Sequence, residues 1–187
     1  MAVRGAVALP LDLAWREEVR KASGQPVELC YQCAKCAAGC IVLEHADFTP
    51  HQVLRMVALG LRDRVLASRA IWLCSGCLTC TVRCPNGIDI ARVMDTLKEM
   101  AAANGANGKN PARLFHSMFV DNIRGRGRVN EAVLLGRYEL TTGRIWKELG
   151  QGLTLLRKGK MPVFTPGVRH RDEVRRIFAR VRELGGH

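Results

Sequence analysis

The chain has 187 residues, of which 48% are hydrophobic but only 5% aromatic, and it carries a formal net charge of +12. This length suits one domain, or one small domain with an appendage. The sequence contains no run of about 18 apolar residues, so no transmembrane segment is predicted. The N-terminal stretch has one Arg and only a short apolar segment, which Asp12, Glu17 and Glu18 soon interrupt, so it does not match an export signal. We therefore expect a mainly helical protein located in the cytoplasm.

The positive charge is concentrated in the second half of the chain. Residues 1–102 contain 12 Lys and Arg against 10 Asp and Glu, or +2, whereas residues 103–187 contain 17 against 7, or +10. An excess of this size can attract nucleic acid, an anionic membrane surface or an acidic protein. Residues 104–108 are rich in Asn and Gly, which indicates a boundary. We therefore predict one domain over residues 1–104 and a basic helical arm over residues 105–187.

Cap residues and apolar spacing predict four helices in the first half. These helices run from about Leu13 to Ala22, from Pro50 to about Gly60, from about Arg62 to Ala67, and from about Ile90 to Ala103. Their capping residues are Asp12, Thr49 and Asp89, and Gly24 lies just beyond the first helix. No segment between the cysteines shows the alternation typical of a strand, so the domain is predicted to be helical.

The second half is predicted to consist of helices joined by glycine-rich turns, without a second compact core. The predicted helices begin at Asn110–Pro111 and cover about Glu131–Leu140, Ile145–Arg157 and a last Arg-rich stretch, capped by Asp172, that ends at Leu184. Arg124 to Arg128 alternates Arg with Gly and is predicted to be a loop. Met161 to Gly167 is punctuated by proline and is predicted to be extended.

All eight cysteines fall in two copies of one pattern, C-x2-C-x2-C-x3-C. The first run is Cys30, Cys33, Cys36 and Cys40, and the second run is Cys74, Cys77, Cys80 and Cys84. This spacing is a bacterial signature of [4Fe–4S] ligation, in which the fourth cysteine of each run binds the other cluster. The sequence therefore predicts two clusters. The predicted ligands are Cys30, Cys33, Cys36 and Cys84 for one cluster, and Cys74, Cys77, Cys80 and Cys40 for the other.

Two other uses of eight cysteines are weighed against iron–sulfur clusters. Zinc would normally take two C-x2-C pairs for each tetrahedral site, which the trio-plus-one spacing does not supply. Disulfides need an oxidising compartment, and no export signal is apparent. Iron–sulfur ligation is therefore the interpretation that we favour.

Residues beside the ligands leave more than one interpretation open. Pro85 follows the second run, whereas Ile41 follows the first, so the turn after Cys40 is expected to differ. Lys35 and Arg83 are cations next to cysteines, and they either lie solvated on the surface or raise a cluster's reduction potential. The sequence contains no nucleotide-binding glycine motif and no nucleophile motif, so we predict no catalytic site on this chain.

Segments that flank the two runs resemble one known family. They are Leu29-Cys30-Tyr31-Gln32-Cys33, Asp47-Phe48-Thr49-Pro50, Ile71-Trp72-Leu73-Cys74 and Arg83-Cys84-Pro85, together with Phe115 to Gly127 and the last helix. With these segments the chain is similar to the C subunit of heterodisulfide reductases and of heterodisulfide-reductase-like complexes. The missing proline at Ile41 is the main departure from the family pattern.

The resemblance implies a helical ferredoxin that carries electrons through two [4Fe–4S] clusters. In the family, the C subunit connects a flavin-containing A-type subunit with a B-type subunit, which bears CCG domains and performs thiol–disulfide chemistry. The basic second half would then be an arm that docks partner subunits. One alternative is the iron–sulfur subunit of a membrane-associated, quinone-linked enzyme of the succinate-dehydrogenase or glycolate-oxidase type. Another is a zinc-stabilised nucleic-acid-binding module, which the cysteine spacing disfavours.

Overall fold

The computed structural model describes residues 11–104, 111–143, 150, 154–155, 157–159 and 166–184. The chain divides into two compact units, Met1–Asn107 and Gly108–His187. The mainly helical fold class is confirmed, since the described ranges contain helices and turns but no strand. None of the described helices is both long enough and apolar enough to cross a membrane.

The described part of the first unit contains six α-helices. They are α1 (Leu13–Ser23), α2 (Pro50–Ala58), α3 (Arg62–Leu66), α4 (Ala70–Leu73), α5 (Thr79–Val82) and α6 (Ile90–Ala103). The four helices predicted in this half are confirmed. Two additional short helices are α4, which directly precedes the second cysteine run, and α5, which lies within that run and contains Cys80. Each run is therefore held between helices of the same unit.

The predicted helix caps of the first unit form as expected. The Asp12 side chain accepts a hydrogen bond from the Trp15 amide at 2.8 Å, and Gly24 ends α1 in the left-handed conformation at φ 67°. The side chains of Thr49 and Gln52 form a capping box at the start of α2. Asp89 caps α6 through the Arg92 amide at 3.1 Å. These caps fix where each helix begins, and so fix the loops that carry the cysteines.

Helix α6 organises the core of the first unit, because it packs against α1, α3, α4 and α5. Its buried apolar face includes Val93 and Leu97, both fully enclosed. Leu54 of α2 and Ile71 of α4 are also at 0% exposure. Fully burying an aliphatic side chain of this size contributes about 1.5–3 kcal/mol. An apolar core therefore stands behind the cysteine loops.

Gly60 allows the N-terminus of α1 to approach the end of α2. Its φ is +69°, and a Cβ atom added there would lie 2.6 Å from the carbonyl carbon of Asp12. The Asp12 amide also donates to the Gly60 carbonyl at 2.9 Å. Glycine is required here for both reasons, since another residue would strain the backbone and collide with it.

The second unit contains α7 (Pro111–Arg126), α8 (Glu131–Thr142) and α9 (Arg171–Glu183) among its described residues. Helix α7 packs against both α8 and α9. Met118 and Leu134 are buried, and Phe115 meets Tyr138 edge to face at 5.7 Å between ring centroids. These contacts make the unit more compact than the string of helices expected from the sequence.

Two predictions for the second unit are wrong. Residues 124–126 of the predicted loop Arg124–Arg128 belong to α7, which ends at Gly127 with φ +77°. Asp172 does not cap the last helix; His170 holds the cap position without a side-chain hydrogen bond, and Asp172 lies in the first turn. Because of the helix dipole, a carboxylate is favourable in the first turn as well as at the cap position. The presence of Asp172 therefore did not identify the cap residue. The other predicted segments, 105–110, 145–157 and 161–165, lie wholly or mostly outside the described residues.

Candidate metal centre

The eight cysteines line two cavities in the first unit. The first cavity is lined by Cys30, Cys33, Cys36 and Cys84. The second cavity is lined by Cys40, Cys74, Cys77 and Cys80. All eight side chains are free thiols, so no disulfide competes for them. Each cavity thus combines three cysteines of one run with the last cysteine of the other.

These two groups have the same members as the ligand sets predicted from the C-x2-C-x2-C-x3-C spacing. The fold places Cys84 with the first three cysteines of the first run and Cys40 with the first three of the second. In the sequence, each is instead the last cysteine of its own run. Four thiols around one cavity are the donor set that a [4Fe–4S] cube requires. The assignment of individual ligands remains a prediction, and the donor sets fit it.

The two cavities are neighbours, because consecutive residues line them at two points. Pro50 lines the second cavity and the next residue, His51, lines the first. Likewise Ile90 lines the first cavity and Ala91 the second. Consecutive Cα atoms are about 3.8 Å apart. The N-termini of α2 and α6 therefore form the partition between two adjacent chambers.

The backbone of the two runs repeats one unusual conformation. Gln32 and Gly76, each two residues after the first cysteine of its run, have φ values of 57° and 67°. Ala34 and Leu78, each directly after the second cysteine, have φ values of 60° and 62°. A non-glycine residue in the left-handed region costs about 1–2 kcal/mol, so its repetition at equivalent positions indicates a shared requirement. Left-handed residues next to right-handed ones form concave amide surfaces that bind anions, iron–sulfur sites included.

The thiols differ in how readily they lose their protons. Burial raises the pKa of Cys36 to about 11 and also raises the pKa of Cys80. In contrast, Cys77 is exposed, and hydrogen bonding between Cys77 and Thr79, whose Oγ1 lies 3.5 Å from Cys77 Sγ, lowers the pKa of Cys77. Metal ligation requires the thiolate and displaces the proton. The second cavity therefore offers one readily ionised thiol at its open side and a protected one inside.

Hydrogen bonds from neighbouring side chains support the cysteines, and sequence reasoning did not find them. Gln32 Nε2 lies 3.2 Å from Cys30 Sγ and donates to the His51 carbonyl at 3.0 Å. Lys98 Nζ donates to the Cys74 carbonyl at 3.0 Å and is paired with Asp95 at 2.9 Å. These contacts tie the first cysteine of each run to a neighbouring helix. Such long-range pairs leave no local signal in the sequence.

Asp47 is a further residue whose role sequence reasoning missed. Its carboxylate accepts hydrogen bonds from the amides of Arg69 and Ala70 at 2.7 and 2.8 Å. It thereby satisfies the free N–H groups at the start of α4, which leads directly to Cys74. The signal for this residue was its place in the flanking segment Asp47-Phe48-Thr49-Pro50, whose Phe48 also lines the second cavity.

The rims of both cavities expose large apolar side chains. Tyr31, at the first cavity, is 73% exposed. At the second cavity, Ile41 is 71% and Leu78 is 53% exposed. Ile41 replaces the expected proline, and the chain at Cys40 is extended there at ψ 116°. The open sides of both chambers are therefore apolar, a character that favours contact with another protein.

Among the described residues, no group of three or more His, Cys, Asp or Glu side chains converges on a point that could hold a single metal ion. The cysteines instead surround chambers, as the ligands of a multi-iron cube must, since each binds a different corner.

Residues 26–88 match the family of 4Fe-4S dicluster domains. The chain is also similar to the C subunits of heterodisulfide reductases. It is 40% identical over 79 residues to the iron–sulfur C2 subunit of CoB–CoM heterodisulfide reductase of Methanocaldococcus jannaschii, which covers 42% of each chain. It is 34% identical over 94 residues to the iron–sulfur C subunit of the CoB–CoM heterodisulfide reductase of Methanopyrus kandleri, covering 50% of this chain and 48% of that one.

A third relative is the C subunit of the H(2):CoB-CoM heterodisulfide,ferredoxin reductase of Methanothermobacter thermautotrophicus, with 30% identity over 95 residues and 51% of each chain. The chain spans about half the length of the curated relatives that it matches. Together with the two four-cysteine chambers, these matches identify residues 26–88 as a 4Fe-4S dicluster domain for two [4Fe–4S] clusters, homologous to that of the heterodisulfide reductase C subunits.

Proposed function

We propose that this protein is the electron-transfer subunit of a cytoplasmic oxidoreductase complex of the heterodisulfide reductase type. It relays electrons through two [4Fe–4S] clusters between a flavin-containing subunit and a subunit with CCG domains, which acts on thiols or disulfides. The observation that carries the proposal is the pair of adjacent chambers, each lined by four cysteines from both runs. The protein itself needs no catalytic residue for this role.

When bound, a [4Fe–4S] cluster supplies one-electron transfer. The chain's own residues hold the two ligand sets side by side, since His51 and Ile90 line one chamber while their sequence neighbours Pro50 and Ala91 line the other. The two ligand sets are thus adjacent at these points. This supports passage of electrons from one chamber to the other within the protein.

The apolar rims support docking at both ends of this path. Cys33 and Tyr31 are exposed at the first chamber, and Cys77 and Leu78 are exposed at the second. A partner protein seated on either rim would cover apolar surface and bring its own cofactor towards that chamber. Two open rims suit an intermediate carrier, which must receive electrons at one side and deliver them at the other.

The basic second unit is proposed to dock a partner protein of the complex. Helix α9 has two apolar rows, of which Val174 and Phe178 form one and are partly buried. The second row, Ile177, Val181 and Leu184, is 45–73% exposed and flanked by Arg176 and Arg180. An exposed apolar row with basic flanks suits a partner surface that is apolar at its centre and acidic at its edge.

Metal content and co-purification test the proposed function. Anaerobically purified protein should contain about eight iron atoms, four in each cube, and no zinc. A tagged chain should retain a flavoprotein and a CCG-domain protein. Recovery of a membrane anchor in place of these partners would favour the quinone-linked alternative, and an iron-free, zinc-loaded protein would overturn the proposal.

Paired substitutions test the crossed ligand assignment. Cys40→Ala with Cys77→Ala removes two ligands from the second chamber and none from the first, so about four irons should remain in the other cube. Cys33→Ala with Cys40→Ala removes one ligand from each chamber and should prevent both clusters from binding. If each run instead bound its own cluster, the two results would be exchanged. Because one of the two variants keeps a cluster under either wiring, the experiment gives an answer in both cases.

A further inference from the structure

The guanidinium group of Arg83 lies directly against Gly39. A Cβ atom added to Gly39 would lie 2.8 Å from Arg83 Cζ and 2.9 Å from Arg83 Nη1. It would also lie 2.9 Å from Cγ2 of Thr79. The absence of a side chain at Gly39 therefore leaves the space that the guanidinium occupies, between the end of the first run and α5.

This contact joins the end of the first cysteine run to the second half of the second run. Gly39, Thr79 and Arg83 each precede a cysteine directly, namely Cys40, Cys80 and Cys84. Cys40 and Cys80 line the second chamber, whereas Cys84 lines the first. The positive charge is therefore held beside backbone that leads into both ligand sets.

Within the described residues, no carboxylate or hydrogen-bond acceptor pairs with the Arg83 side chain. Lys98 offers a contrast, since it also contacts the cysteine backbone but is paired with Asp95 at 2.9 Å. The described part of the chain thus leaves the charge of Arg83 without a local counter-charge. Among the described residues, therefore, no surface salt bridge explains its position.

We propose that Arg83 raises the reduction potential of the clusters and that Gly39 is the positioning residue that allows its approach. This inference rests on the proposed electron-transfer function. Reduction adds one electron, and so one negative charge, to a cube, and a nearby cation stabilises that charge. Cluster potentials respond to net charge and solvent exposure, and Coulomb energy rises as the separation and effective dielectric fall.

Redox titration of the anaerobic, cluster-loaded full chain tests the proposal, with the clusters followed by electron paramagnetic resonance. Arg83→Gln should shift at least one potential to a more negative value, while Arg83→Lys, which keeps the charge, should shift it less. Lys35→Gln is the matched control, because Lys35 is also an exposed cation that directly precedes a cysteine, Cys36. It should produce a smaller shift than Arg83→Gln.

Gly39→Ala tests the positioning role. The added methyl group would displace the guanidinium, so this variant should shift the potential in the same direction as Arg83→Gln. In the double variant the two shifts in potential should not add, since Arg83→Gln removes a guanidinium that Gly39→Ala has already displaced. Because Arg83 is exposed, the difference between wild type and Arg83→Gln should shrink as ionic strength rises.

The outcomes separate this inference from the proposed function. Equal shifts for Arg83→Gln and Lys35→Gln, or no shift for Arg83→Gln with both clusters present, would overturn the role of Arg83 and leave electron transfer intact. A wild-type chain that binds no cluster would instead overturn the proposed function itself. Iron content and the helical circular dichroism spectrum, measured on every variant, show that a changed potential does not result from a lost cluster or a lost fold.

Discussion

The two units of this chain differ in how much of their apolar surface they enclose. In the first unit, many aliphatic side chains are fully enclosed, among them Val19, Leu54, Ile71 and Leu97. In the described part of the second unit, Met118 and Leu134 are the buried apolar side chains, while Leu140 and Leu184 are at least 70% exposed. Apart from exposed residues such as those at the chamber rims, the described part of the first unit encloses most of its large apolar side chains in its own core, whereas that of the second leaves most of them at least partly exposed.

The difference shows what each unit is built to hold. Eight ligands must be kept in place around two chambers, which demands a rigid frame behind the loops. A docking surface has the opposite requirement, because its apolar residues must remain available until a partner covers them. The charge follows the same division, +2 for residues 1–102 and +10 for residues 103–187.

Removal of iron should give the largest difference between the units. Chelation under anaerobic conditions should lower the melting temperature of the first unit strongly or abolish its cooperative transition, since cluster ligation joins the two runs. The transition of the second unit should remain. Thermal melts followed by circular dichroism on the intact chain would measure both. Identical melts with and without iron would contradict this prediction.

Truncation of one leucine in each unit should sharpen the comparison. Leu54→Ala should reduce the free energy of unfolding of the first unit by about 2–5 kcal/mol, because it opens a cavity in a closed core. Leu140→Ala, at a site that is 70% exposed, should change stability by less than about 0.5 kcal/mol. Denaturant titration of both variants is the measurement. A cost at Leu140 similar to that at Leu54 would show that the second unit is as tightly packed as the first.

Two glycines with the same backbone angle provide a matched pair. Gly60 and Gly143 both have φ +69°. An added Cβ would collide with the Asp12 backbone at Gly60, whereas at Gly143 it would meet no atom of the described residues within 4 Å. Gly143→Ala should therefore cost only the backbone strain, about 1–2 kcal/mol. Gly60→Ala should cost about 1–3 kcal/mol more because of the overlap. Equal losses in denaturant titration would argue against the close approach of Asp12.

The smallest expected effect concerns the N-cap residues of α1 and α9. Asp12→Ala removes a cap hydrogen bond to Trp15 and should cost about 1 kcal/mol. His170→Ala should have almost no effect, because His170 makes no cap hydrogen bond and its 3.9 Å contact with Glu173 is exposed. Thermal melts of the two variants should thus differ in the first unit only. A clear loss for His170→Ala would reveal a cap contact at α9.

Sequence signals were most informative where a local rule determines the structure. Asp12, Thr49 and Asp89 begin helices as predicted, because a capping side chain bonds to amides only two or three residues away. The grouping of Cys40 and Cys84 with the opposite runs also follows the spacing signature. In both cases the relevant information lies in a short, recognisable pattern.

The failures have a physical reason as well. Gly125 continues α7 while Gly127 ends it in the left-handed region, and the same residue type permits either conformation. Gln32, Ala34 and Leu78 adopt left-handed backbone although their side chains disfavour it. Packing and the geometry around the chambers impose these angles, so no local pattern could have predicted them.

The crossing of the two runs has a consequence for how the protein matures in the cell. Under the proposed ligand assignment, the chamber that opens at Cys30 lacks its fourth ligand until Cys84 has been synthesised and folded against it. Neither cube can then be completed on a nascent chain that ends before the second run. Iron–sulfur delivery must follow folding of residues 30–84 as a whole, so a shortened or misfolded chain would be left without a finished cluster rather than with half of its electron path.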